Sequence, residues 1–314
     1  MALSSARPGT KAQTLLLALS CTALGALMMC AHDRWTSVGF PLGLCPPMDL
    51  LEEKPRPEGW WTDLHQQYVD AMAEADKGEG YKVIFYGEGI TEGWQGTFQG
   101  SATQPTTLRK PVDRAKDVTV TFNATFATPY GAAAFGIAGD GVDSLAWRLF
   151  HGELPTRNPP KVIVLNIGSN DLERARRSSP SPHQVEESIW KAVPHVTMRI
   201  LSTIRRIRDL LPDTVVVLQA VLPRGVDGLD PFRLPNLFTW PLYVVNEHLS
   251  HFASEDDNVQ FVDCEDHVLT NEGSLDPAAL PDGVHPSAPA YQHISRCLDI
   301  LIGVLVEDPL AGRA

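Results

Sequence analysis

The chain has 314 residues, 43% hydrophobic and 20% charged, with 25 Pro, 24 Gly and a formal net charge of −12. A chain of this make-up can bury a full-sized core, which excludes a disordered tail and a disulfide-stapled miniprotein. Its acidity leaves no basic footprint for tracking a phosphate backbone, so nucleic acid is excluded as a partner. One large domain, or one with appendages, is the expectation.

From Thr14 to Ala31 the chain is apolar and uncharged, behind Arg7 and Lys11. Such a run is a secretory targeting signal, either cleaved or kept as a short membrane anchor. A cut after Ala31 would place Met29 where cleavage sites favour a small residue, so both outcomes stay open. The predicted organisation is residues 1–31 as signal peptide or anchor, 32–57 as a Pro-rich linker, 58–307 as the folded domain and 308–314 as a tail. Asn123-Ala124-Thr125 is a glycosylation sequon, usable at Asn123 if the chain enters the secretory pathway. Cys21 and Cys30 lie in the apolar run, and Cys45, Cys264 and Cys297 leave an odd count, consistent with at most one bridge. Cys264 and Cys297 read as buried thiols, or as a pair in an oxidising compartment.

Past the linker, apolar strands and helical periods alternate. Trp60 to Ala75 carries Trp61, Leu64, Tyr68, Met72 and Ala75 on one side of a helix. Strands are predicted at 82–86, 132–136, 161–166, 214–220 and 259–263, the third being the clearest. Helices are predicted at 142–150, 242–253 and 288–306. Ser181-Pro182 followed by Gln184 resembles a capping box opening a further helix, interrupted near Pro194 and resumed from Thr197 to Leu211. Continuous apolar strands separated by helices predict a parallel sheet covered on both faces.

Ligands of open parallel sheets sit beyond the carboxyl ends of the strands. The segments there are Gly87-Glu-Gly-Ile-Thr-Glu-Gly-Trp94, Ile137-Ala-Gly-Asp-Gly141, Gly168-Ser-Asn-Asp171 and Leu222-Pro-Arg-Gly225, with Pro281-Asp-Gly-Val-His-Pro-Ser287 before the last helix. In this order the blocks resemble those of the SGNH (GDSL-type) esterase family, most of all the branch holding the catalytic subunits of intracellular platelet-activating-factor acetylhydrolase. Gly59 to Val69, Phe135 to Asp140 and Trp147 to Leu154 extend the resemblance, which covers about Trp60 to Val306. It implies an α/β fold, a flavodoxin-like three-layer α/β/α sandwich with about five parallel strands. It also implies small acyl or acetyl ester hydrolysis on a small-molecule ester or acyl ligand, with no metal and no organic cofactor.

In that family the first block reads Gly-Asp-Ser, and its serine is the nucleophile. The matching triplet here is Gly87-Glu88-Gly89, so Gly89 stands at the nucleophile position without a hydroxyl. By the resemblance, Gly139 N–H and the Asn170 side chain are oxyanion donors, His285 is the general base, and Asp282 orients it. An Asp three residues before a His can accept a hydrogen bond from the imidazole and fix its tautomer. An amide at the tip of strand three suits an oxygen that becomes negative in a tetrahedral intermediate. The expected protein is therefore a family member impaired in catalysis or inactive. Three rescues are conceivable: a water activated by His285, the Thr91 hydroxyl, or the Glu88 carboxylate. Thr91 coexists with the serine in the family pattern, and a strand-end neighbour such as Glu88 generally points the other way.

Two rival readings belong to other classes. One is a non-catalytic binder of acyl, acetylated-sugar or lipid ligands in the same pocket. The other is a nucleotide-binding module built on Gly87-x-Gly89-x-x-x-Gly93, although that spacing is one residue too long for the dinucleotide fingerprint and the phosphate-loop lysine is missing. Each loop also has an ordinary reading: Gly168 to Asp171 and Gly139 to Gly141 as turns, Arg174, Arg176 and Arg177 as a solvated loop, and Trp60, Trp61 and Trp147 as core.

Overall fold

Five short strands carry the architecture: β1 (Val83–Gly87), β2 (Ala132–Gly136), β3 (Val162–Asn166), β4 (Val215–Gln219) and β5 (Val259–Val262). The computed structural model describes residues 51–101, 115–227 and 230–307. All neighbouring strands pair in parallel, in the order β2-β1-β3-β4-β5. That order places the reversal of strand order between β1 and β3, where doubly wound folds bind their ligands. Gly87 pairs with both Gly136 and Asn166, so the loops after β1, β2 and β3 leave the sheet at one level.

Period-two side chains sort the strands into two buried layers. Ile84, Tyr86, Ile163, Leu165, Val216 and Leu218 face a core built with α1 (Gly59–Ala75), α4 (Val142–Arg148), α6 (Val185–Leu210) and α7 (Thr239–Ala253). Val83, Phe85, Val162, Val164 and Val217 face the opposite core, covered by α3 (Ala115–Phe122) and α8 (Ala288–Glu307). Two further short helices start at strand ends: α2 (Gly89–Gly93) after β1 and α5 (Ser169–Arg177) after β3. The three-layer α/β/α sandwich expected from the sequence is the fold.

Several local expectations are corrected. α6 runs unbroken through Pro194. Ile189, Val193, Val196 and Ile200 on either side of the proline stay buried, and that packing outweighs the one backbone donor that proline lacks. The Ser181 hydroxyl meets the Gln184 side chain rather than capping the backbone, and a short 3₁₀ turn, Pro182–Gln184, precedes α6. The predicted loop carrying Arg174, Arg176 and Arg177 is helix α5. The helical run from Ala115 to Tyr130, with a π-helical stretch at Asn123–Ala127, had no sequence counterpart, because its apolar positions follow no single period. Asn123 is exposed on that stretch. Trp61 is fully buried, as expected of a core residue.

Residues 51–58 carry no helix or strand, yet they are fastened to the domain. The Lys54 N–H donates to the Asp143 carbonyl, Glu52 and Glu53 pair with Arg199 and Arg206, and Arg56 reaches Asp140. The targeting run 14–31, the linker up to residue 50 and the tail 308–314 lie outside the described residues. Among the described residues no helix is long and apolar enough to cross a membrane.

Cys264 and Cys297 form a disulfide across 33 residues, tying the end of β5 to α8. Closing a loop of that size is worth about 3.7 kcal/mol in chain-entropy terms. Reduction, or Cys264→Ser with Cys297→Ser, is therefore expected to lower Tm by roughly 7–15 °C. Equal melting curves with and without reductant would contradict the bridge.

Candidate active site

The site begins at the end of β1. Gly89 is the first residue of α2, and a Cβ placed on it would lie 3.1 Å from Nε2 of His285, 3.4 Å from the Ala138 Cβ and clear of any backbone clash. The imidazole thus faces the position that a side chain at residue 89 would occupy. Close approach of β2 and α2 creates this corner: a Cβ on Gly136 would meet the Glu92 backbone nitrogen at 2.1 Å, so only glycine fits there. The buried Glu92 carboxylate then accepts the Ala138 N–H at 2.7 Å and the Gly100 N–H at 2.8 Å, locking the loop after β2 against α2.

His285 comes from the turn before α8. Its Nδ1 is 2.8 Å from Asp282 Oδ2, while Oδ1 of the same carboxylate accepts the backbone N–H groups of Val284 and His285. Burial works against ionising Asp282, but these hydrogen bonds and the imidazole beside it hold the carboxyl well below its ordinary range. The ring of Phe98 packs edge-on against the imidazole at 5.4 Å. Asp282 thus carries out the orienting geometry predicted from its spacing.

Asn170, in the first turn of α5, is drawn into the same corner from β3. Its Nδ2 donates to the Asp140 carbonyl at 3.0 Å and also to the Glu88 carboxyl. Both amide hydrogens are therefore in use inside the protein. The Glu88 contact corrects the expectation that this side chain points away: residue 88 already has the backbone geometry of a helix entry, with φ −106° and ψ −147°, so strand alternation does not govern it. Burial pushes Glu88 up to about 8, with Arg224 opposing and Asp171 and Asp140 reinforcing the shift. Gly139 takes φ +86°, a left-handed conformation natural to glycine, with the Arg56 guanidinium against its Cα and bonded to the Ala138 carbonyl at 2.9 Å. The Thr91 hydroxyl lies against Gly87, beside the Asn166 carbonyl.

Beneath the corner, Arg148 is fully buried. Its guanidinium binds Asp140 Oδ2 at 2.8 Å, the Glu153 carboxylate and the Gly87 carbonyl at 3.0 Å. Trp61 Nε1 donates to Asp140 at 2.7 Å, and His65 pairs with Glu153 at 2.8 Å. Asn170, Asp282 and His285 line a cavity of about 730 Å³ together with Arg176, Arg177 and Arg224.

The structure thus brings Gly89, Asp282 and His285 together, with Asn170 on the same cavity and Gly139 on the loop that packs against Gly89 through Ala138. Sequence reasoning missed three contributors. Arg148 and Arg224 stand inside recognised blocks as single polar letters, and Arg56 sits in the segment read as linker.

A parallel sheet in this strand order, with an aspartate-held histidine, an asparagine amide and glycine turns at its carboxyl edge, defines an SGNH hydrolase architecture. The GDSL-like Lipase/Acylhydrolase family pattern matches residues 85–293, and the chain belongs to that family. It is 26% identical over 262 residues to human platelet-activating factor acetylhydrolase IB subunit alpha1, covering 81% of this chain and 88% of that one. A Drosophila melanogaster beta-subunit homolog is 25% identical over 215 residues, covering 68% and 72% of the two chains. Among solved structures, a GDSL-like lipase from Bacteroides thetaiotaomicron superposes with a TM-score of 0.52 at 19% identity, covering 76% of this chain and 97% of that one.

Glu88 also sets a pH dependence. Between its ordinary value of 4.5 and about 8, native Glu88 keeps a proton that the unfolded chain releases. Its contribution to stability is therefore complete below pH 4.5 and lost as pH rises through 8. Asp171, pushed up to about 6 by burial, acts in the same direction. Glu88→Gln is expected to flatten the fall in Tm between pH 5 and pH 9; an unchanged slope would contradict this assignment.

Proposed function

We propose that the protein is a GDSL-fold member that binds a small acyl or acetyl ester at the His285 corner but is impaired in, or incapable of, covalent ester hydrolysis. In this reading Gly89 occupies the position of the family's nucleophilic serine. One observation carries it: a Cβ at residue 89 would lie 3.1 Å from His285 Nε2, so the imidazole faces a point where no atom is present to attack. His285 would be the base, Asp282 its orienting partner, and Asn170 with the Gly139 N–H the oxyanion donors.

The size of the defect can be estimated from another enzyme. In subtilisin, loss of the triad serine costs about 10⁶ in kcat and leaves roughly 10³ to 10⁴ over water from the remaining machinery. A water lodged beside Gly89, giving its proton to His285 Nε2 while its oxygen attacks the acyl carbon, would supply slow hydrolysis of that order. Thr91 is placed against Gly87, and Glu88 is engaged by Asn170, so neither offers an attacking group at this point.

A second reading, a purely binding role, draws support from Asn170. Its amide is already paired with Asp140 and Glu88, and an oxyanion would have to displace the Glu88 carboxyl from it. The apolar run 14–31 and the Cys264–Cys297 bridge support entry into an oxidising secretory compartment, with the product secreted or membrane-anchored.

The test is a fluorophosphonate probe, which reacts with activated serine. The wild-type chain is expected to remain unlabelled and Gly89→Ser to be labelled at residue 89. The φ of Gly89 suits serine, and the His285 ring need give way by only a few tenths of an ångström to admit the Cβ. Stoichiometric labelling of the wild type at a residue lining the cavity, or no labelling of a folded Gly89→Ser, would overturn the reading.

A further inference from the structure

Three arginines line the cavity that His285 also lines. Arg176 and Arg177 project from α5, and Arg224 comes from the loop after β4. They share one counter-ion. Glu173 receives Arg176 Nε and Nη2 at 2.8 and 2.7 Å, Arg177 Nε at 2.6 Å and Arg224 Nη2 at 3.5 Å. Asp227, 3.8 Å from Arg176, is 83% exposed and screened by solvent. Arg177, 70% exposed, is screened in the same way, so Arg176 and Arg224 against the Glu173 carboxylate leave a surplus of about one positive charge, in a chain whose net charge is −12.

Arg224 shows the imbalance most clearly. It is 9% exposed, and its Nε has no hydrogen-bond partner among the described residues. Its Nη1 reaches Ser169, and the ring of Phe238 lies against the guanidinium at 4.8 Å. Burial lowers its pKa; Glu173 and Glu88 oppose that shift, while Arg176 and Arg177 add to it. A buried cation with an open donor and two like-charged neighbours is stabilised by an anion placed among them. The wall is also fixed relative to the imidazole, because Gly225 N–H donates to the Gly283 carbonyl at 2.7 Å, joining the Arg224 loop to the turn that carries His285.

We propose that this cavity binds a phosphate monoester, its dianionic phosphoryl group seated on Arg176, Arg177 and Arg224 and the remainder of the ligand extending toward His285 and Gly89. A phosphate monoester carries close to two negative charges at neutral pH, and its three terminal oxygens can serve several guanidinium forks at once. A carboxylate has one charge and a single planar face, and a phosphodiester has one charge. The proposal rests on the reading of the Gly89 corner as a ligand site and specifies the ligand's class.

The test is calorimetric and thermal-shift titration of the full chain with inorganic phosphate, glycerol 3-phosphate and the diester glycerophosphocholine, with chloride at matched ionic strength as control. Both monoanion-to-dianion phosphates are expected to bind and raise Tm, the diester to bind about tenfold more weakly, and chloride to do nothing. Arg176→Gln with Arg177→Gln, on the exposed side of α5, should weaken phosphate binding by about tenfold or more, and Arg224→Lys should do so without removing the charge from the core. Vesicles of phosphatidylcholine with and without phosphatidic acid locate the source: retention on phosphatidic acid alone, lost in the double variant, assigns the monoester to a lipid, and binding of glycerol 3-phosphate assigns it to a soluble ligand. Absence of binding to every monoester probe, binding undiminished in both variants, or equal stabilisation by chloride overturns the proposal. Fluorophosphonate labelling of Gly89→Ser does not involve the arginine wall, so labelling without phosphate binding sinks this proposal alone, and phosphate binding without labelling sinks the reading of the Gly89 corner alone.

Discussion

Arg148 is the interaction on which the rest of the site depends. A fully buried guanidinium is tolerable only when its charge and donors are answered, and here Asp140, Glu153 and the carbonyl at the end of β1 answer them. Removing one partner of such a buried pair costs about 3–5 kcal/mol, because the other is left as an uncompensated charge. The position of the Asp140 backbone follows from this anchor, and the Asp140 carbonyl in turn holds Asn170. The end of β1, the loop after β2 and the first turn of α5 are thereby fixed to one another before any ligand arrives.

Above that anchor, in the proposed reading, the site has an oriented base and no attacking atom at residue 89. The Asp282 carboxylate is bound by three donors from its own turn, which holds the imidazole in one orientation. The imidazole then faces the position a Cβ on Gly89 would occupy. Glu88 bears on the same corner: its buried carboxyl, which burial pushes up to about 8, meets the Asn170 amide that the proposed reading assigns to an oxyanion. The two features lie on adjacent residues at the mouth of β1, and in the proposed reading both reduce covalent turnover.

Much of this was legible in the sequence, for physical reasons. Strands such as Val162 to Asn166 are unbroken apolar runs, and the Asp282–His285 spacing encodes its own hydrogen bond. Ordered blocks then placed Gly89, Gly139 and Asn170 beside that pair. What escaped depends on long-range packing. The sequence around Glu88 says strand end, but the chain turns into α2 at that residue and aims the carboxyl at Asn170. Pro194 reads as a break, yet the burial of α6 carries the helix through it. Arg56 and Arg224 reach the site through Ala138 and Ser169, 82 and 55 residues away, and Arg148 pairs with Asp140 and Glu153 at spacings of no regular period, so no local pattern announces them.

The central claim of the proposed reading is that the site retains its base and lacks the atom that attacks. The most direct measurement is the steady-state hydrolysis of p-nitrophenyl acetate by the wild-type chain, by Gly89→Ser and by Gly89→Ser combined with His285→Ala. The account predicts wild-type turnover near the residual level, a rise of roughly 10² or more on adding the hydroxyl, and loss of that rise without the imidazole. Wild-type turnover equal to that of Gly89→Ser, or no gain in a Gly89→Ser protein with unchanged Tm, would contradict it.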